Sequence, residues 1–283
     1  MAANPIRRLL RRPAKTLQAA ARWKRLSFDD APAVFGNSKP KSGSHLLLQI
    51  LSGFCRVMPS KYVEADPVRT ITKEGRKRSE EEILADLAAL PRGVIGWGYL
   101  DATPENVAFL CRPGRVNYFI YRDPRDMLVS QVFYATDMRD DHGMREFYST
   151  LPDFGARLKV AITGLDQDGI YMAGVRQRYE TVFQWLEQPE VLCLRFEDLI
   201  HRRDETLNAM LDEVEKTGYR IPTPRGEALA MIMEAIRPEK SHTFRSGKTE
   251  GWREHFTEAH KHLFKDVAGD LLVRLGYEQD NEW

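Results

Sequence analysis

The chain has 283 residues, 42% hydrophobic and 29% charged, with a formal net charge of +1; it is long enough to bury a substantial core, and it lacks the basic excess of a dedicated nucleic-acid binder. Its three cysteines, Cys55, Cys111 and Cys193, are too scattered for a zinc site or a disulfide framework, which points to a reducing compartment. No apolar run approaches the roughly 20 residues that cross a bilayer and the N-terminus lacks a secretory apolar stretch, so a cytoplasmic protein is expected.

The first charged residues are all basic: Arg7, Arg8, Arg11, Arg12, Lys15, Arg22, Lys24 and Arg25, with no acid before Asp29. Ile6, Leu9, Leu10, Leu17 and Ala21 recur near helical spacing. Residues 1–30 therefore read in two ways, as a basic amphipathic helix contacting an anionic membrane surface or acidic acceptor, or as a solvated tail. Pro13 argues against an unbroken helix.

A globular domain is expected over 31–283. Ala33 to Phe35 reads as a buried strand ending at Gly36, followed by a loop from Asn37 to Gly43 and a buried helix over Leu46 to Leu51. Ser79 and Glu82 have the spacing of a capping box, opening a helix to about Leu90. Val94 to Trp97 reads as a strand, and Thr103-Pro104-Glu105 opens another helix with proline at its first position.

Val116 to Tyr121 is the clearest strand by its β-branched and aromatic content, and Asp123-Pro124 caps a helix over Arg125 to Tyr134. A long helix is expected from Met172 to Glu187, a strand from Val191 to Phe196, and helices over Asp204–Lys216, Arg225–Ile236 and Thr257–Leu275. Strands alternating with helices imply an α/β fold with a central, mostly parallel sheet.

The segment Phe35-Gly36-Asn37-Ser38-Lys39-Pro40-Lys41-Ser42-Gly43-Ser44-His45 carries chemistry. A strand, a tight polar loop and a helix start present unpaired N–H groups and positive dipole to an anion. Gly43 permits close backbone approach, Ser42 and Ser44 add hydroxyls, and Lys41 adds a full charge. This is not a Walker A loop: Gly247-Lys248-Thr249 has the right triplet, but position 242 is His rather than Gly. His201-Arg202-Arg203-Asp204 likewise fails the kinase catalytic pattern.

Pro40-Lys41-Ser42-Gly43-Ser44 resembles the 5′-phosphosulfate loop of sulfotransferases that use 3′-phosphoadenosine 5′-phosphosulfate (PAPS). Three further stretches, in family order, are similar. Tyr121-Arg122-Asp123-Pro124-Arg125-Asp126 leads into a helix carrying Ser130. Arg195-Phe196-Glu197-Asp198-Leu199 resembles a Tyr-Glu-Asp-Leu strand end. Phe244-Arg245-Ser246-Gly247, followed by Gly251-Trp252 and Phe256-Thr257, resembles the family's closing segment.

The resemblance implies a three-layer α/β sandwich of the P-loop-NTPase-like sulfotransferase fold, with PAPS as donor, 3′-phosphoadenosine 5′-phosphate (PAP) as product and no metal. It implies that Lys41, Ser42, Gly43, Ser44 and His45 hold the 5′ end. Arg122, Ser130, Arg245, Ser246 and Gly247 would hold the 3′-phosphate, and Phe196 would pack on the nucleotide. Ser246 replaces a usual lysine, with Lys248 as the nearest substitute, and Leu46 replaces a tryptophan that stacks on adenine. Ser130 is implied to hold Lys41 off the donor until acceptor arrives.

The proton acceptor departs from the pattern. Tyr99, in Gly98-Tyr99-Leu100-Asp101, stands where cytosolic members carry histidine, and an ordinary phenol, with a pKa of about 10, is a poor base at neutral pH. Glu64, His45 and Asp101 are the other candidates, Glu64 by resemblance to carbohydrate and protein-tyrosine sulfotransferases. The region of His142, Tyr148 and Phe154 is expected to form an acceptor lid. The function expected is sulfuryl transfer to a hydroxyl, or an amine, of a small-molecule, lipid or carbohydrate acceptor. The alternative is a catalytically degenerate nucleotide-binding partner or scaffold. A small-molecule kinase is less well supported, for want of Walker spacing.

Overall fold

A computed structural model describes residues 5–72, 75–140, 142–167, 169–240 and 247–283, with side chains from residue 12 onward. Helix α1 (Pro5–Trp23) precedes β1 (Ala33–Ser38), α2 (Ser44–Val57), β2 (Tyr62–Val63), β3 (Val68–Arg69), α3 (Glu80–Ala88), β4 (Val94–Tyr99) and α4 (Pro104–Leu110). Then come β5 (Arg115–Tyr121), α5 (Pro124–Phe133), a π-helical turn (Tyr134–Met138), α6 (Arg145–Ser149), α7 (Phe154–Thr163), β6 (Leu165–Gln167) and β7 (Ile170–Met172). The chain continues through α8 (Val175–Leu186), β8 (Val191–Arg195), α9 (Phe196–His201), α10 (Arg203–Lys216), α11 (Arg225–Ala235), α12 (Glu258–Ala268) and α13 (Leu271–Arg274).

The main sheet runs β2-β4-β1-β5-β8, with β3 also on β4, and all its pairings are parallel. Period-2 alternation assigns the two faces. From β5, Val116, Tyr118 and Ile120 join the core against α2, α10 and α11, while Phe119 and Tyr121 join the opposite core with α5, α7, α8 and α12. Helices on both faces of a parallel sheet bear out the α/β fold that the alternation implied and give the three-layer sandwich that the resemblance implied.

Strand β1 outruns its expected end at Gly36. Asn37 is buried, and its side chain makes both bonds to the backbone of Leu100, donating to the carbonyl at 3.0 Å and accepting from the N–H at 2.9 Å. Gly36 is the point where α2 crosses closest, since a Cβ there would meet Leu51 at 2.6 Å. The capping box forms as read: Glu82 N–H donates to Ser79 Oγ at 3.3 Å, and Ser79 N–H donates to the Glu82 carboxylate at 2.9 Å. Two helix expectations are corrected. Met172 belongs to the β6–β7 hairpin, so α8 starts only at Val175. The helix expected over Thr257–Leu275 is two, broken at Gly269, whose φ is 59°.

The basic arm is helical, and Pro13 sits within α1. Several of its described cations contact the rest of the fold. Arg12 Nη2 donates to the buried Glu64 carboxylate at 2.6 Å, the Lys15 ammonium lies 5.3 Å from the Tyr62 ring centre, and Arg22 donates to the Cys55 carbonyl at 3.2 Å. Arg25 pairs with Asp30. Among the described residues, no helix is long and apolar enough to cross a membrane.

Candidate active site

Strand order reverses at β1: β4 lies on one side and β5 on the other, so their connections leave a crevice at the carboxyl ends of the strands. The phosphate loop occupies that point. It leaves β1 at Ser38, turns through Lys41 (φ 67°) and Gly43 (φ 100°), and enters α2 at Ser44. Ser42 and Ser44 are buried, Lys41 is half-buried, and His45 is exposed on the first turn of α2.

Gly43 has two reasons to be glycine. Its left-handed backbone disfavours a side chain, and a Cβ there would meet the Phe196 ring at 2.6 Å and Ile120 at 2.9 Å. The same Phe196 ring stacks beneath the Arg122 guanidinium at 4.5 Å. Phe196 opens α9 just beyond β8, so it joins the phosphate loop to the end of β5. Arg122 donates from Nη2 to the Lys248 carbonyl at 2.9 Å, drawing in the segment around Gly247, whose φ is 62°. Arg245 and Ser246 lie outside the described residues. The Lys248 ammonium is largely exposed and 3.9 Å from Glu254.

Among the described residues, the buried donors Ser42 Oγ and Arg122 Nε have no hydrogen-bond partner at this junction, and neither do Asp126 Oδ2 and Trp252 Nε1. Buried donors are nearly always satisfied in folded proteins, and the oxygens of a bound anion would satisfy each of the first two. Asp126 holds the arrangement from below. Its Oδ1 accepts from Trp252 N–H at 2.8 Å and its Oδ2 stands 3.5 Å from Arg122, while burial pushes the carboxyl up from the usual carboxylate range. Beside it Arg125 is clasped between the rings of Trp252 (4.0 Å) and Trp283 (4.7 Å) and bonded to Asp123 and Glu278. Neither Asp126 nor Arg125 stood out in the sequence as a site residue.

The face that Lys41 meets is aromatic. The Lys41 ammonium lies 4.0 Å from the Tyr134 ring centre, and Tyr134 begins the π-helical turn that follows α5. His142 meets Tyr134 edge-on at 5.7 Å, while the adjacent Phe133 packs on Phe154 at 4.6 Å and on His255 at 5.3 Å. Ser130 is half-buried one turn before Tyr134. Tyr148, expected in a lid, is instead wholly buried in the core, and burial pushes its phenol up to about 12.

The candidate proton acceptors are dispersed. Tyr99 closes β4, and its hydroxyl is 3.0 Å from Ser44 Oγ; burial pushes the phenol up despite that bond and the nearby Arg69. Asp101 lies two residues on, partly exposed, and pairs with Lys39 at 2.5 Å. Glu64 follows β2, level with the middle of β4 and engaged by Arg12; its backbone carbonyl accepts from Trp97 Nε1 at 2.9 Å. The structure thus brings Lys41, Ser44, Tyr99 and Tyr134 together, and sets Glu64 at the sheet edge under α1.

No family model matches the chain, and no curated protein matches it. Solved structures do. Mouse sulfotransferase SULT7A1 complexed with PAP is similar at a TM-score of 0.59 and 18% identity, over 87% of this chain and 88% of that one. Retinol dehydratase is similar in its structure with androsterone and inactive cofactor PAP (TM-score 0.53, 15% identity, 92% and 85% of the two chains). Its structure with retinol and PAP gives a TM-score of 0.52 at 15% identity, over 92% and 86%. At such identities the likeness lies in the path of the backbone, and by that path the chain has the α/β sulfotransferase fold.

Proposed function

We propose that the chain is a sulfotransferase that moves a sulfuryl group from PAPS to a hydroxyl, or an amine, of a small acceptor and releases PAP. The observation that carries this reading is the convergence on Phe196. One ring contacts Gly43 of the phosphate loop and Arg122 of the following strand end, with the unpartnered Ser42 Oγ and Arg122 Nε beside it. Two anion sites joined by one aromatic surface suit a nucleotide phosphorylated at both ends.

In this reading the N–H groups of residues 42–45 and the hydroxyls of Ser42 and Ser44 hold the 5′ end, at the positive end of α2. Arg122, Ser130 and the Gly247 amide hold the 3′-phosphate, with Arg245 and Ser246 from the neighbouring segment. Lys41 neutralises charge growing on the leaving phosphate oxygen. Catalysis of this kind rests on positioning and fixed charge. Asp101 is assigned to accept the acceptor's proton, because its partly exposed carboxylate stands beyond the end of β4.

Retinol dehydratase is named above with androsterone and retinol. That precedent and the wall of Phe133, Tyr134, Phe154 and His255 support a small apolar acceptor over a carbohydrate. The test has two parts. PAP is expected to raise the melting temperature of the full chain, and PAPS with a panel of phenols, alcohols and amines is expected to yield sulfated product that Lys41→Ala abolishes. Absence of a thermal shift with PAP overturns the reading. PAP binding without product from any acceptor favours a binding protein without transfer chemistry.

A further inference from the structure

Tyr99 bridges the end of β4 and the start of α2. Its ring is held between Trp97, edge-on at 5.6 Å, and the Arg69 guanidinium, 4.9 Å from the ring centre. Arg69 is in register for this, since β3 pairs with β4 at Arg69↔Tyr99. The phenol reaches across from the end of β4 to Ser44 Oγ, 3.0 Å away, on the first residue of α2. Burial keeps this phenol protonated.

A serine hydroxyl has one proton and two lone pairs. If Tyr99 donates into one lone pair, the Ser44 proton is left to point elsewhere, and the direction remaining is the anion cradle of the phosphate loop. A cation over the ring face draws electron density from the phenol and makes it a stronger donor. Donors in series polarise one another. We propose that Arg69, Tyr99 and Ser44 form a directed hydrogen-bond chain that aims the Ser44 proton at the donor's 5′-phosphosulfate, with Tyr99 as a positioning residue that accepts no proton from the acceptor. This rests on the PAPS-dependent reading above. The position of Tyr99 then supplies positive potential to the donor.

The test is a double-mutant cycle in the full chain, read by calorimetric titration with PAP. Tyr99→Phe removes the relay hydroxyl alone and is expected to weaken PAP binding about three- to tenfold, the range of one hydrogen bond between neutral groups. In a Ser44→Ala background the same change is expected to alter binding by less than about twofold, because its route is gone. Arg69→Gln is expected to fall between wild type and Tyr99→Phe. Binding measured from pH 6 to 9 is expected to keep its shape in Tyr99→Phe.

Equal losses from Tyr99→Phe in both backgrounds would overturn the relay, as would a pH limb that disappears with the Tyr99 hydroxyl. Wild type that binds no PAP overturns the relay together with the parent reading. Wild type that binds PAP while the cycle shows independence overturns the relay alone. Should Tyr99→Phe fail to fold, the same coupling is read from Arg69→Gln with and without Ser44→Ala.

Discussion

The ammonium of Lys41 lies over the face of Tyr134, 4.0 Å from the ring centre, so the phosphate loop and the turn after α5 meet through a cation and an aromatic ring. Lys41 is one of only three non-glycine residues with positive φ among those described, and a strained backbone needs its side chain held. A cation–π contact of this kind contributes about 0.5–2 kcal/mol. Tyr134→Leu is therefore expected to lower kcat/KM for PAPS about three- to tenfold, whereas Tyr134→Phe, which keeps the face, stays within about twofold. Steady-state kinetics at saturating acceptor would check both.

Gly43→Ala meets two obstacles together, a left-handed φ of 100° and the Phe196 ring at 2.6 Å. The strain alone costs about 1–3 kcal/mol. The variant is expected to melt lower and to lose most of the PAP-induced thermal shift. Adding Phe196→Leu is expected to recover part of the stability and little of the binding, because Arg122 loses its platform. Differential scanning fluorimetry with and without PAP separates the two.

Glu64 and Asp101 are told apart by kinetics. Glu64 is buried and engaged by Arg12, whose own side chain is 42% exposed. Arg12→Ala is expected to destabilise the chain by about 1–2 kcal/mol by leaving a buried carboxylate less well paired, a cost reduced by solvent at the arginine. Glu64→Gln is expected to keep turnover within about threefold. Asp101→Asn is expected to lower kcat by about 100-fold, the lower bound for losing a general base. The reverse pattern would assign the role to Glu64.

Glu82 sets an acid-side expectation. The side-chain hydrogen bond from Arg76, with the Ser79 backbone N–H of the capping box, lowers its carboxyl from 4.5 to about 2. A lowered folded-state value means that the stabilisation is present above the ordinary value and is lost as pH falls through about 2. Carboxyl-carbon NMR is expected to show Glu82 titrating near that pH in wild type. Arg76→Ala is expected to move the midpoint back toward 4.5.

Local signals in the sequence served well where local physics decides. The β-branched, aromatic run of β5, the Ser79–Glu82 box and the end of the loop at Gly43 were legible because neighbouring residues set them. The partners of Lys41, Tyr99 and Glu64 were not. Tyr134, Arg69 and Arg12 carry no distinguishing pattern in their own surroundings, and they meet the site only through strand register, a π-helical turn and a packed helix. The merged helix over Thr257–Leu275 has a similar cause. Its apolar spacing runs on across Gly269, and only the backbone reversal there separates α12 from α13.

The central place of β1 has a kinetic consequence. Phe35 pairs with Gly96 and Ala33 with Arg115, partners about 60 and 80 residues further along the chain, and such non-local pairing slows folding because loop closure precedes its reward. The phosphate loop hangs from the end of that strand, so its geometry is set only after both neighbours have docked. Partly folded chains would therefore hold helices and hairpins, yet bind no nucleotide. Recovery of PAP binding during refolding should trail the return of helical signal, which makes the ligand a reporter of the last step rather than the first.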